Sequence, residues 1–135
     1  MTTIITYGTF DLFHVGHVRL LERLAKMGDR LIVGVSTDEF NSMKGKAAFF
    51  SYQQRKEIVS ACRFVDEVIP ERHWHQKPRD IVHHDVNIFA IGDDWEGKFD
   101  DLKALCEVFY LPRTEAISTT EIKTSLAQPS GLAMH

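Results

Sequence analysis

The chain lacks several features that mark whole classes of protein. Only two cysteines occur among its 135 residues, too few for a disulfide-rich secreted scaffold, and such an isolated pair is typically reduced and buried. No apolar run approaches the roughly 20 residues of a membrane-spanning helix. The first residues also lack the basic and apolar pattern of a signal peptide. We therefore expect a cytoplasmic protein without membrane insertion.

An excess of charge of one sign is also missing. The 16 basic and 19 acidic residues leave a formal net charge of −3, which supplies no field to recruit nucleic acid or an anionic membrane. There are no internal repeats and no low-complexity tracts. We therefore expect small-molecule substrates and no nucleic-acid partner, in a chain long enough for one domain.

What the sequence does contain is an alternation of strand and helix patterns. Continuous apolar runs predict buried parallel strands at residues 2–7, 31–35, 68–69, 88–91 and 108–111. Apolar residues at helical spacing predict helices that begin near residues 18, 51, 78, 99 and 118. The segment 36–50 reads as a polar loop, and Pro70 as the end of the third strand. The βαβα succession predicts an α/β fold, a single Rossmann-like domain over 1–127 with a five-stranded parallel sheet flanked by helices. Residues 128–135 read as a flexible tail.

Two histidines, His14 and His17, lie between the end of the first predicted strand and the start of the first predicted helix. Free backbone N–H groups and the helix dipole favour an anion at such a junction. Gly16 lies between the histidines and has no Cβ, so a phosphate could approach the backbone closely. The pair could instead only cap the helix, or share a face as metal ligands. No carboxylate or thiol lies at matching spacing, so the metal interpretation ranks low.

A second anion-binding pattern lies near the end of the chain. Ser118 followed by Glu121 forms a capping-box pattern, which predicts the start of another helix. Arg113 precedes it, and its guanidinium could form forked hydrogen bonds to phosphate oxygens. A plain capped helix explains Ser118 and Glu121, but it leaves Arg113 and the extra threonines unexplained. Together the two patterns predict two helix N-termini that clamp a polyphosphate.

These two segments resemble the cytidylyltransferase family. The run from Tyr7 to His17 is similar to its HxGH motif, and residues 113–120 are similar to its RTEGISTT motif, with Ala116 in place of a glycine. Residues 36–41 and 92–100 share the likeness. HxGH alone also occurs in adenylyltransferases and class I tRNA synthetases, so the pair of motifs is the more specific signal. Within the family, bacterial members that use glycerol 3-phosphate are the most similar.

The resemblance implies a reaction and a set of residues for it. CTP and sn-glycerol 3-phosphate would give CDP-glycerol and pyrophosphate, for synthesis of teichoic acid or a related polymer. Catalytic roles are implied for His14, His17, Arg113 and Lys46. CTP contacts are implied for Thr9, Phe10, Asp11, His14, His17, Lys46, Asp94, Arg113, Thr114, Ser118, Thr119 and Thr120. Acceptor contacts are implied for Lys44, Lys77, Arg55 and Arg63.

The implied roles differ in kind. Asp11 would orient the histidine segment, and Asp94 would recognise the ribose or the cytosine amino group. Mg²⁺ is expected as the counter-ion of CTP, with no protein ligand assigned, and family members imply a homodimer. Without the resemblance, Lys44 and Lys46 are more typical of a solvated loop. Arg63, and to a lesser extent Arg55, could instead pair with a carboxylate such as Asp66.

Two other functions stay open at this stage. One is a related adenylyl- or cytidylyltransferase that acts on another phosphorylated alcohol or sugar. The other is a module that senses CTP without turning it over. Release of pyrophosphate from a panel of nucleotides and phosphorylated alcohols separates the three.

Overall fold

A computed structural model describes residues 1–113 and 119–127 of the chain. The five strands are β1 (Thr3–Gly8), β2 (Arg30–Ser36), β3 (Glu67–Glu71), β4 (Ile88–Gly92) and β5 (Glu107–Leu111). The helices are α1 (Val15–Ala25), α2 (Asp38–Met43), α3 (Tyr52–Ser60), α4 (Lys77–His83) and α5 (Thr119–Ala127). Short 3₁₀ helices cover Trp74–Gln76, Asp93–Trp95 and Asp100–Ala104.

The strands form one parallel sheet in the order β3-β2-β1-β4-β5. This confirms the predicted Rossmann-like α/β fold. The chain moves outward from β1 to β2 and β3, then crosses back to β4 on the other side of β1. In such a sheet, ligands bind at the carboxyl ends of the strands where the direction of winding reverses. The fold therefore places a binding crevice beside the ends of β1 and β4.

Helices cover both faces of the sheet, which explains the continuous apolar runs. In β1, Ile4 belongs to one buried cluster and Ile5 to the other. In β2, Leu31 and Val33 pack on the first face while Ile32 packs on the second. Each fully buried aliphatic side chain contributes about 1.5–3 kcal/mol. The sheet is therefore a rigid support on which the loops at its edge are placed.

Helix α2 lies inside the segment that the sequence predicted as a loop, and that prediction was wrong. The hydroxyl of Thr37 caps the helix by accepting a hydrogen bond from Phe40 N at 3.1 Å. Phe40 is fully buried, and a helix of six residues is too short to show a helical period. Sequence periodicity therefore could not reveal it.

Three predicted boundaries also differ from the structure. Pro70 lies within β3 and pairs with Val35, because an edge strand can dispense with one N–H donor. Helix α1 begins at Val15 because His14 is its N-cap. The helix expected from residue 99 is the 3₁₀ helix Asp100–Ala104.

Within the described residues, no helix has the length and apolar character needed to cross a membrane. The predicted tail, residues 128–135, lies outside the described ranges.

Candidate active site

The loop between β1 and α1 has a strained backbone. Phe10 and Leu12 have φ angles of +55° and +49°, in the left-handed region that non-glycine residues rarely adopt. Such conformations persist where the surroundings enforce them, and they cluster at functional sites. This strain could not be predicted from the sequence, because neither residue is of a type that favours the conformation.

Asp11, between the two strained residues, is buried and holds a neighbouring loop. Its carboxylate accepts hydrogen bonds from Phe49 N at 2.6 Å and Phe50 N at 3.0 Å. Burial opposes ionisation, but these N–H groups and the Lys123 ammonium outweigh it and hold the pKa of Asp11 below its usual value. The role predicted for Asp11 was to orient the histidine segment. The structure adds that it anchors residues 49 and 50 across the site.

The two histidines cap α1 reciprocally. His14 Nδ1 accepts a hydrogen bond from Gly16 N at 3.0 Å, and His17 Nδ1 accepts one from His14 N at 3.1 Å. A neutral imidazole that accepts at Nδ1 carries its proton on Nε2. Both rings therefore carry their proton on Nε2. The capping interpretation is correct, and it is compatible with phosphate binding because capping fixes the tautomer.

His17 is held neutral by its surroundings. Its ring stacks on Phe13 with centroids 5.3 Å apart and lies 4.0 Å from the ring centroid of His14. Burial and the neighbouring His14 lower the pKa of His17 to about 4, although Asp11 opposes this shift. At neutral pH, His17 is therefore an uncharged hydrogen-bond donor.

A pocket of about 410 Å³ opens beside His17. Its size is in the usual range for a small-molecule site. It brings together five residues that the resemblance implied as CTP contacts, namely Thr9, Phe10, Asp11, His17 and Lys46. The remaining lining residues are Ala47, Ala48 and Lys123.

Lys123 is a site residue that the sequence did not reveal. Its ammonium lies 3.1 Å from Asp11 Oδ2 and donates to Ala47 O at 3.2 Å. It therefore links α5 both to the β1–α1 loop and to the segment after α2. A lysine on a partly exposed helix carries no local signal of such a role.

A second, smaller pocket of about 80 Å³ adjoins the first and shares Thr9 and Lys46 with it. Two predicted acceptor-binding residues, Lys44 and Lys77, line it together. The other lining residues are Tyr7, Gly8, Glu71, Trp74, Ile91, Trp95 and Phe99. Five of the predicted nucleotide residues and two of the predicted acceptor residues thus line two neighbouring pockets.

A buried polar network forms part of the second pocket. Lys77 Nζ donates to Glu71 Oε2 at 2.7 Å, and Ser36 Oγ donates to Glu71 Oε1 at 2.8 Å. Lys44 Nζ donates to Ser36 Oγ at 3.0 Å. Burial lowers the pKa of Lys44 and the attraction of Glu71 opposes that shift. Glu71 and Ser36 were not among the site residues predicted from the sequence. They come together only because β2 and β3 pair in register.

Arg55, a predicted acceptor contact, makes several buried hydrogen bonds within the chain. Its side chain is completely buried, and it donates to Thr9 O at 2.9 Å and Ser36 O at 2.7 Å. Further bonds go to Phe50 O at 3.0 Å and Asp38 Oδ1 at 2.8 Å. Arg55 therefore fixes the ends of β1 and β2 and the start of α3. The alternative from the sequence was an ion pair with a carboxylate such as Asp66, but the partner of Arg55 is Asp38.

Arg63 is exposed and follows the end of α3, with its guanidinium 5.0 Å from the ring of Phe64. The nearby Asp66 accepts a hydrogen bond from Leu31 N at 2.7 Å, at the beginning of β2. The histidines lie at the opposite edge, where the strands end. Within one chain, the structure therefore does not bring Arg63 to the two pockets.

Arg113 and Asp94 lie together on the surface, with Arg113 Nη2 3.3 Å from Asp94 Oδ2. Both side chains are mostly exposed, so the pair is weak. The predicted contacts Thr114 and Ser118, and the Ala116 substitution, lie outside the described residues. Helix α5 begins at Thr119, close to the predicted start, but the side chains of Thr119 and Thr120 are not described.

The sequence pattern of the cytidylyltransferase-like family matches residues 5–125.

The chain belongs to the cytidylyltransferase-like family.

Several relatives in this family match nearly the whole chain. Glycerol-3-phosphate cytidylyltransferase of Bacillus subtilis is 60% identical over 94% of this chain and 98% of its own length. The Staphylococcus aureus protein of that name is 56% identical over 93% of this chain and 96% of its own. Choline-phosphate cytidylyltransferase of Saccharomyces cerevisiae is 32% identical over 88% of this chain but 30% of its own length.

One solved structure supports the fold. It is a lipopolysaccharide core biosynthesis protein from Thermoplasma volcanium, with a TM-score of 0.72 and 23% identity. The match covers 85% of this chain and 99% of that one. At this identity the likeness concerns the fold alone, and it agrees with the parallel sheet described above.

Proposed function

We propose that this cytidylyltransferase transfers a cytidylyl group from CTP to sn-glycerol 3-phosphate, giving CDP-glycerol and pyrophosphate. Relatives named glycerol-3-phosphate cytidylyltransferase match 93–94% of the chain at 56–60% identity. The observation that carries the proposal is the pair of adjoining pockets. One contains His17, the other contains Lys44 and Lys77, and Lys46 lines both.

The geometry supports a direct displacement at phosphorus. A phosphate oxygen of the acceptor in the smaller pocket forms a bond to the α-phosphorus of CTP in the larger pocket. The bond from that phosphorus to the oxygen bridging to the β-phosphate breaks, and pyrophosphate leaves. The attacking phosphate is already ionised, so no general base is needed. Catalysis of this kind consists mainly of positioning and charge stabilisation.

The chain's own residues supply those two contributions. The Nε2–H groups of His14 and His17 donate to α- and β-phosphate oxygens as negative charge grows there. A neutral donor held by the α1 cap needs no reorganisation when the charge develops. Lys46, at the boundary of the pockets, attracts the phosphates of both substrates, and Lys44 and Lys77 neutralise the phosphate of the acceptor.

Arg113 and Asp94 complete the proposed nucleotide site by exchanging partners. Their exposed ion pair is weak enough for a triphosphate to replace Asp94 as the partner of Arg113. Asp94 then becomes available to the ribose or to the cytosine amino group. The implied contacts of Thr114, Ser118, Thr119 and Thr120 with CTP remain part of this proposal.

Mg²⁺ is proposed as the counter-ion of CTP. Among residues 1–113 and 119–127, no cluster of three or more His, Cys, Asp or Glu side chains is arranged to hold a metal ion. The donor set therefore fits an ion that is coordinated by phosphate oxygens and water, which Mg²⁺ tolerates well. When bound, the ion would neutralise part of the triphosphate charge.

The setting of the reaction is proposed as follows. CTP is an intracellular nucleotide, so we place the enzyme in the cytoplasm, where CDP-glycerol would supply the synthesis of teichoic acid or a related wall or capsule polymer.

We also propose a homodimer, because β3 and β5 are sheet edges that a second copy can cover. Light scattering should give twice the chain mass of 15.5 kDa.

Release of pyrophosphate tests the proposed reaction against its alternatives. Purified protein is mixed with Mg²⁺, one of the four common ribonucleoside triphosphates and one member of a panel of phosphorylated alcohols and sugars. We expect release with CTP and glycerol 3-phosphate. Release with ATP in place of CTP would contradict the proposal and favour an adenylyltransferase. Tight binding of CTP without release for any acceptor would favour a CTP sensor.

A further inference from the structure

The buried carboxylate of Glu71 is not used by the transfer described above. Glu71 is 4% exposed and lines the smaller pocket, between Lys77 and Ser36. We infer that Glu71 selects the acceptor by accepting a hydrogen bond from one of its hydroxyl groups. This inference rests on the proposed function, and it names the group that distinguishes a polyol phosphate from other phosphate esters.

The carboxylate has the capacity for such a bond. An ionised carboxylate offers about four lone-pair sites. The structure gives Oε1 one donor, the Ser36 hydroxyl, and Oε2 one donor, the Lys77 ammonium. Lys44 and Lys77 can only donate, so they suit the phosphate of the acceptor but add nothing for a hydroxyl hydrogen. Among the charged side chains that line this pocket, only that of Glu71 can accept a hydrogen bond.

The balance of charge also favours this assignment. A site that had to bind a phosphate and nothing more would bind it better without a buried carboxylate, because like charges repel and burial of the carboxylate costs free energy. The Lys77 ammonium offsets that cost. The Ser36 hydroxyl links Glu71 to Lys44, because it donates to Glu71 and accepts from Lys44. The carboxylate therefore disfavours an acceptor with a second anionic group and favours one with neutral hydroxyls.

The pocket walls limit the size of the acceptor. Trp74, Trp95 and Phe99 line a space of about 80 Å³, which suits a short carbon chain. Lys77 lies 5.2 Å from the Phe99 ring centroid and 5.8 Å from that of Trp74. The ammonium is thus held both by the Glu71 carboxylate and by aromatic rings of the pocket wall.

The test compares glycerol 3-phosphate with two analogues that each lack one hydroxyl, 2-hydroxypropyl phosphate and 3-hydroxypropyl phosphate. For the unmodified protein we expect kcat/KM to fall by about tenfold or more for one analogue, because that analogue leaves a buried acceptor without its hydrogen-bond donor. In Glu71→Ala this preference should shrink to about threefold or less. Glu71→Gln retains one carbonyl oxygen and should lie between the two.

Two controls accompany the variants. Stabilisation of each variant by CTP, measured as a rise in Tm, shows that it is folded and still binds nucleotide. Glu67→Gln lies on the same strand, where Glu67 pairs with Arg30 at the surface, and should change neither the rate nor the preference.

The outcomes separate the inference from the proposed function. If Glu71→Ala lowers kcat/KM for all three acceptors by one common factor, Glu71 only holds the lysines, and the inference is wrong. It is also wrong if the unmodified protein turns over all three equally. If the unmodified protein releases no pyrophosphate from CTP with any of the three acceptors, the proposed function is wrong, and the inference that rests on it is wrong as well.

Discussion

His17 combines two roles in one imidazole. Its Nδ1 completes the cap of α1, and its Nε2–H is the donor that we assign to the phosphates. The replacement His17→Asn keeps an oxygen that can accept from His14 N but loses the Nε2–H donor. We expect kcat to fall by about 10²-fold or more with little change in Tm. Steady-state kinetics and thermal unfolding measure the two effects, with the exposed His83→Asn as the control.

The low pKa of His17 predicts how stability depends on pH. The folded protein keeps His17 neutral down to about pH 4, whereas the unfolded chain takes up a proton near the usual value of about 6.5. Between these values the unfolded state binds more protons, so the free energy of unfolding falls as pH falls from about 6.5 to 4. The loss in the free energy of unfolding over this range is at most about 3.5 kcal/mol. Urea unfolding across this range should show a shallower pH dependence in His17→Asn, and an unchanged slope would refute the assignment.

Arg55 stabilises the site through buried hydrogen bonds to the carbonyls of Thr9 and Ser36. Its replacement by Met leaves the carbonyls of Thr9 and Ser36 without their buried donors, so we expect a loss of about 2–4 kcal/mol in the free energy of unfolding. The exposed Arg79→Met should change it by less than about 0.5 kcal/mol. If Arg55→Met unfolds like the parent but raises KM for glycerol 3-phosphate, Arg55 is an acceptor ligand instead.

At the scale of secondary-structure elements, Lys123 joins three parts of the nucleotide pocket. It carries a contact from α5 to Asp11 and to the carbonyl of Ala47. In Lys123→Gln we expect KM for CTP to rise about tenfold, the equivalent of one charge-assisted hydrogen bond, with kcat nearly unchanged. Lys103→Gln, an exposed lysine near Asp100, is the matched control.

An unchanged KM for CTP in Lys123→Gln would show that the contacts of Lys123 matter only in the absence of nucleotide. A fall in kcat with KM unchanged would instead place Lys123 on the reacting phosphates. Either result would contradict its role as a residue that positions the pocket.

The elements that could be predicted from sequence are those with a long apolar period or a clear cap. Strand β2 and helix α3, with its Ser51 cap, follow from such patterns. Helix α2 could not be predicted, because it has six residues and its burial depends on packing across the sheet. The pairing of Glu71 with Lys77 was equally hidden, because it depends on where β3 ends relative to α4. Motifs identified the histidines, but only the fold could show the neighbours that set their tautomers.

At the scale of the whole molecule, parallel strand order explains why distant motifs meet. His17 follows β1, Lys46 follows β2, Lys77 follows β3 and Asp94 follows β4. All strands run in one direction, so their following loops gather at one edge of the sheet. The two adjoining pockets are a consequence of this topology. The proposed transfer requires that CTP and glycerol 3-phosphate occupy both pockets in one catalytic cycle.

The most direct test of that claim is to follow the phosphorus atoms of both substrates. ³¹P NMR of the protein with Mg²⁺, CTP and sn-glycerol 3-phosphate should show CDP-glycerol and pyrophosphate appearing in equal amounts. Neither signal should appear at a comparable rate with His17→Asn. Loss of CTP to CDP and orthophosphate, or pyrophosphate that forms without a new diphosphate ester, would contradict transfer between the two pockets.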